Sequence, residues 1–126
     1  MAKKILVADD DAAVVETLKA ILERSNYEVD TAGNGEECLK KILLNKPDLL
    51  LLDIMMPKMD GYSFLVAIKE LKALTGNAPE TPVIVITGRD SALNRDLVTH
   101  ENIRDYILKP FDLPDLLLKI KKALGE

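Results

Sequence analysis

The chain has a single cysteine, Cys38, which excludes an internal disulfide and any cysteine-based metal cluster. One thiol in 126 residues fits a reducing cytoplasm, and Cys38 itself reads as a small, semi-buried helix residue. Histidine is equally scarce. His100 has no partner at metal-ligand spacing, so zinc is not expected, and it reads as a surface residue rather than a phosphate carrier. Positive charge is concentrated nowhere. The 17 Lys and Arg are scattered among 21 Asp and Glu, and a net charge of -4 gives no electrostatic footprint for nucleic acid and no cationic face for a membrane. The N-terminal MAKKILVADDD has only a four-residue apolar run before acids intervene, too short for a signal peptide or a membrane span. There is no low-complexity segment, no internal repeat and no G-x-x-x-x-G-K-[ST] loop to cradle a nucleotide's phosphates.

What is present describes one globular domain covering 1–126, with 48% hydrophobic and 30% charged residues. Its most informative stretch is PDLLLLDIMMPKMDG, at 47–61. Four consecutive leucines running into Asp53 predict a strand covered on both faces, as in a parallel sheet flanked by helices. On its own this stretch leaves open whether Asp53 is a base, a ligand or an acceptor.

The rest of the chain alternates. A short strand at 5–8 ends in Asp9, Asp10 and Asp11, and Asp11 can cap the helix that buries Val14, Leu18, Ile21 and Leu22. A strand at 28–32 is followed by the Gly33-Asn34-Gly35 turn and a helix over 36–44, which Pro47 prevents from continuing. The third strand, 48–53, precedes a helix at 61–74 that buries Phe64, Leu65, Ile68 and Leu71. A breaker-rich connection at 75–82 leads to VIVIT at 83–87, the most β-prone stretch of all. A weakly helical pattern at 90–103, a strand at 105–108 and a helix at 113–124 complete the chain, with Asp112 as a cap and Pro114 in a first turn. Five β-α units imply a parallel sheet with right-handed crossovers, and five are too few for a closed barrel. The expected fold is therefore an α/β, (βα)5 doubly wound open sheet.

In such sheets, ligands collect outside the carboxyl ends of the strands. Those ends carry Asp9 and Asp10, then Asp53, then Thr87, then Lys109. Each has an ordinary role when taken singly: a helix cap, a β-former, a solvated strand end. If the first and third strands are neighbours, about 4.8 Å apart, three carboxylates converge and would repel unless a cation joined them. An all-oxygen set of this kind suits Mg²⁺, which keeps waters for phosphate oxygens. Metal, carboxylate, hydroxyl and ammonium together describe phosphoryl transfer to a carboxylate. In that reading Asp53 attacks phosphorus, Mg²⁺ and Lys109 neutralise the phosphoryl oxygens, Thr87 donates a hydrogen bond, and Gly88 lets the backbone approach closely.

Asp9-Asp10, Asp53 in LLLLDIMMPKMDG, Thr87 in VIVITG, and Tyr106 with Lys109-Pro110 in DYILKPF resemble the receiver domain of two-component response regulators over essentially the whole chain. The resemblance implies the flavodoxin-like strand order 2-1-3-4-5. It also implies that Asp53 takes a phosphoryl group from a sensor histidine kinase or histidine phosphotransfer protein and catalyses its own dephosphorylation. By position, Asp10 and Asp53 would ligate Mg²⁺ directly, Asp9 would act mainly through water, and the Met55 backbone carbonyl would complete the protein ligands. Thr87 and Tyr106 would form the switch, hydroxyl moving toward the phosphoryl group and ring turning inward, so that phosphorylation biases a two-state element. The Lys109-Pro110 bond would be cis. A downstream protein target would meet the face made by the helix expected at 90–103, the fifth strand and the last helix; no nucleic acid and no membrane partner is implied.

Asn102-Ile103 departs from the Gly-Ala pair usual before the fifth strand in this family, which bears on the shape of that face and not on the acceptor site. Met55 and Arg89 sit where the family tunes the lifetime of the acyl phosphate. A haloacid-dehalogenase-type phosphatase would place its nucleophile after the first strand in D-x-D-x-T, but Asp9-Asp10-Asp11-Ala12-Ala13 has alanine where threonine is needed. A pseudo-receiver using only its surface would have no need of the complete acceptor, metal, hydroxyl and lysine set. With no output domain after Glu126 in this sequence, signalling through another protein is the expectation.

Overall fold

A computed structural model describes residues 2–88 and 102–126. Five parallel strands form one sheet in the order β2-β1-β3-β4-β5: β1 Lys4–Ala8, β2 Glu28–Ala32, β3 Leu49–Asp53, β4 Val83–Thr87 and β5 Ile103–Leu108. The described helices are α1 Ala12–Arg24, α2 Gly35–Asn45, α3 Gly61–Thr75 and α4 Leu113–Ala123. The helix expected at 90–103 falls almost wholly outside the described residues; its two last positions are placed, and they are not helical.

The three central strands are apolar at nearly every position because each has a core on both faces. Side chains alternate across a strand, so a continuous apolar run splits into two sets. Leu6, Ala8, Leu50, Leu52, Val83 and Val85 join Cys38 and Ile42 of α2 and Phe64, Leu65 and Ile68 of α3. Ile5, Val7, Leu49, Leu51, Ile84 and Ile86 join Leu18 and Leu22 of α1 and Leu116 and Ile120 of α4. Cys38 is fully buried in the first core rather than semi-buried, because it faces the sheet one turn before Ile42.

Helix starts follow from side-chain caps. Asp11 accepts the N–H groups of Ala13 and Val14, Asn34 that of Glu37, and Asp60 that of Ser63. Asp112 occupies the cap position of α4, but its side chain makes no capping bond. At the far end of α4, Gly125 takes φ 75°, Glu126 N–H donates to the Lys121 carbonyl and Gly125 N–H to that of Lys122. This is the glycine-dependent closure expected where a helix stops.

β5 begins at Ile103, two residues before the position read from the sequence, because its pairing with β4 is irregular. Val83 faces Ile103 while Ile84 faces Asp105, so Arg104 is an extra residue in the ladder. The irregularity lets Ile103 and Tyr106, three apart, pack against the same core.

Candidate functional site

The three acids that follow β1 have three different environments. Asp9 is buried, Asp10 is exposed, and Asp11 caps α1 while its own N–H donates to Asp9 Oδ1 at 2.9 Å. β1 and β3 are adjacent, with Ala8 facing Leu52, so the residues that follow them meet at one edge of the sheet. There Asp9, Asp10 and Asp53 each offer a carboxylate oxygen, and these atoms lie within 4.8 Å of one another.

Lys109 enters from the end of β5. Its Nζ donates to Asp9 Oδ2 at 2.7 Å and to Asp53 Oδ2 at 3.2 Å, and the peptide bond that follows it, to Pro110, is cis. The other Asp53 oxygen, Oδ1, accepts the Met55 N–H at 3.0 Å. Burial, reinforced by the Asp9 charge, lifts the Asp53 carboxyl to about 6 against the opposing pull of the Met55 N–H and the Lys109 ammonium. Burial acts on Lys109 in the discharging direction, but its two carboxylate partners outweigh it and hold the ammonium above its ordinary value.

Two glycines fix the loop that carries Met55. Gly61 N–H donates to the Ile54 carbonyl at 2.9 Å, and a Cβ at Gly61 would lie 2.7 Å from the Asp53 carbonyl oxygen and 2.8 Å from Ile54 Cα. A Cβ at Gly35, on the first turn of α2, would lie 1.9 Å from the Met59 carbonyl oxygen. Neither contact was read from the sequence, where Gly35 looked like part of a turn and Gly61 like a loop end; such contacts between distant segments leave no periodic signal. A Cβ at Gly88, by contrast, would meet nothing within 4 Å.

The sequence-derived set is thus brought together at Asp9, Asp10, Asp53, Lys109 and the backbone of Met55, whose side chain is 55% exposed. Thr87 is the last residue of β4 and pairs with Leu108; its side chain lies outside the description, as do Arg89 and His100. Tyr106 faces Val85 across the ladder, and its half-buried ring packs on the core that α2 and α3 cover.

The chemistry of the donor set fits Mg²⁺, since three carboxylates gather within 4.8 Å of one another, the Lys109 ammonium is bonded to two of them, and the atoms the cluster offers a cation are oxygens. No helix among the described residues is long and apolar enough to cross a membrane.

Comparison with known proteins agrees with this arrangement. Residues 5–121 match the family model of the response regulator receiver domain. The chain is 38% identical over 124 residues to the alkaline phosphatase synthesis transcriptional regulatory protein PhoP of Bacillus subtilis, covering 98% of this chain and 49% of that protein. It is 40% identical over 121 residues to the transcriptional regulatory protein ResD of the same organism, covering 96% and 48%. It spans about half the length of the curated relatives it matches. Among solved structures, the receiver domain of the Francisella response regulator 1452 superposes with a TM-score of 0.85 at 30% identity, over 98% of this chain and 97% of that one. A CheY-like receiver domain protein from Methanospirillum hungatei gives 0.85 at 36% identity, over 99% and 95%. A parallel sheet in the order 2-1-3-4-5, an acidic cluster at its carboxyl edge and a family match over nearly the whole length lead to one conclusion: the chain belongs to the response regulator receiver domain family.

Proposed function

We propose that this domain is a signalling switch that takes a phosphoryl group on Asp53 from a sensor histidine kinase or histidine phosphotransfer protein. The observation that carries the reading is the setting of Asp53: a buried carboxylate at the end of β3, beside Asp9 and Asp10, with the Lys109 ammonium 3.2 Å from one oxygen and the Met55 N–H 3.0 Å from the other. Transfer forms a bond between an Asp53 carboxylate oxygen and phosphorus as the bond from phosphorus to the donor's imidazole nitrogen breaks. Asp9, Asp10 and Asp53 would hold Mg²⁺, with the Met55 backbone carbonyl completing the protein ligands. When bound, that ion supplies neutralisation of charge at the phosphoryl oxygens.

Lys109 would act twice. In the resting site it shares its protons between Asp9 and Asp53, which keeps two buried carboxylates tolerable side by side. Once Asp53 is esterified its charge moves outward onto the phosphoryl oxygens, and the same ammonium follows it. Thr87 would supply a hydroxyl to one of those oxygens and Tyr106 would turn inward behind it, altering the face that carries β5 and α4 and so the affinity for a downstream protein. Hydrolysis of the acyl phosphate at the same site would reset the switch.

The test is incubation with Mg²⁺ and acetyl phosphate, followed by intact-mass measurement with and without hydroxylamine. The expected outcome is a hydroxylamine-labile phosphoryl adduct that is absent from Asp53→Ala. No adduct on folded protein sinks the proposal. Steady turnover of phosphate esters that survives Asp53→Ala but is lost in Asp9→Ala would instead assign a phosphatase with its nucleophile after β1.

A further inference from the structure

We propose that Gly35 is a positioning residue for phosphoryl transfer: the missing side chain on the first turn of α2 seats the Met59 backbone and thereby holds the Met55 N–H on Asp53. The inference rests on the phosphoacceptor reading of Asp53 given above.

Gly35 is buried and its φ is not positive, so its backbone conformation does not demand glycine. Gly35 is the first residue of α2, directly after the Asn34 cap, a position that does not itself call for glycine. What demands glycine is clearance. A Cβ would sit 1.9 Å from the Met59 carbonyl oxygen, 2.6 Å from its carbonyl carbon and 2.7 Å from its Cβ. Two of these three are backbone atoms, which cannot swing aside as the tip of a side chain can, so the loop or the helix would have to move by more than about an ångström.

The loop has little freedom to absorb such a shift. At its base, Gly61 N–H is bonded to the Ile54 carbonyl, and Asp60 is fixed as the cap of α3. Ile54 and Met56 are buried, and Lys58 is held at φ 64°. On the other side, Asn34 anchors Gly35 by capping α2 at Glu37 N–H, with Cys38 fully buried behind it. Met59 is therefore held between two helix starts, and displacement passes to the exposed side of the loop, where Met55 makes its bond to Asp53 Oδ1. Gly35 touches no reacting atom; it acts through Met59 and Met55.

The experiment uses Gly35→Ala, Met59→Gly and a control, Ile120→Ala, in the core on the opposite face of the sheet. Met59→Gly removes the Met59 Cβ that faces Gly35 and frees the backbone at that position without adding a clash, so it decides the matter if Gly35→Ala does not fold. Two readouts are taken on folded protein: the rate of phosphorylation by acetyl phosphate with Mg²⁺, and hydrogen-exchange protection of the Met55 amide in metal-free protein. The expected result is a rate about 10-fold to 100-fold lower in the loop variants, the scale for misplacing a reacting group by about an ångström. The control should stay within about twofold of wild type, as a distant, uncoupled site does. Met55 protection should fall in the loop variants and persist in the control. Loop variants that react at the control's rate overturn the inference, as does a slower rate with Met55 protection unchanged. If wild type acquires no phosphoryl group, the phosphoacceptor reading fails, and the amide measurement still decides whether Gly35 holds the Met55 bond.

Discussion

Asp53 is a carboxylate that the fold makes uncomfortable. Asp53 lies buried beside Asp9, and burial together with that neighbour lifts its carboxyl to about 6 despite Lys109 and the Met55 N–H. An acid whose pKa is higher folded than unfolded retains its proton in the native state over a range where the unfolded chain has released it. Stability therefore falls as pH rises from the ordinary carboxylate value of 3.8 toward about 6, and the loss is complete above that. In metal-free protein, Asp53→Asn should remove this slope and raise stability at pH 7 by about 1–3 kcal/mol, measured by urea unfolding across the pH range. A loss of stability at pH 7 in Asp53→Asn would mean that Lys109 already compensates the charge in full.

The elements were legible wherever a core covers them from both sides. LLLL at 49–52 read as a buried strand and VIVIT at 83–87 as a strongly β-prone one, because a sheet sandwiched between helices has no polar face to advertise. Where the ladder is irregular the reading slipped: the extra residue Arg104 breaks the alternation, and the start of β5 at Ile103 was missed. Cys38 was placed too near the surface, because the narrow apolar face of α2 gives little sign of how deeply its small residues pack. The convergence of Asp9, Asp10, Asp53 and Lys109 could be read in advance, since it needs only strand order and strand ends. The Gly35–Met59 contact could not, since it depends on how a helix start and a loop from different units pass one another.

The edge strand β2 carries a prediction of its own. Asp30 accepts from Lys41 Nζ at 3.1 Å and from Asn45 Nδ2 at 2.8 Å, tying β2 to α2. Burial pushes this carboxyl up, but Lys41, the Thr31 N–H and Asn45 together outweigh it, and its pKa is lowered. A depressed acid stabilises the fold above its unfolded pKa and loses that contribution as pH falls through its folded one. The side chain of Asp30 is 43% exposed, so solvent screens the pair. Asp30→Asn should cost less than about 1 kcal/mol at pH 7 and nothing in acid, by chemical denaturation at both pH values.

For the whole molecule, the sheet separates structure from chemistry. Two apolar cores lie on its faces, and the charged cluster sits at its carboxyl edge, where helix caps and strand ends supply polar groups. If Asp9, Asp10 and Asp53 hold Mg²⁺, the ion binds the folded chain and not the unfolded one. At ten times its dissociation constant it should add about 1.4 kcal/mol of stability, a rise of about 3–6 °C in Tm by calorimetry. Asp9→Asn should lose most of that rise, because it removes a buried member of the cluster.

In the proposed function, residues at the ends of β1, β3 and β5 form one acceptor site whose nucleophile is Asp53. That assignment is tested most directly by trapping the phosphorylated protein with borohydride, which reduces an aspartyl phosphate to homoserine, and mapping the product by peptide mass spectrometry. The expected result is homoserine at position 53, dependent on Mg²⁺, with Asp9 and Asp10 unmodified. Homoserine at 9 or 10, or none in protein that carries a phosphoryl group, would contradict the account.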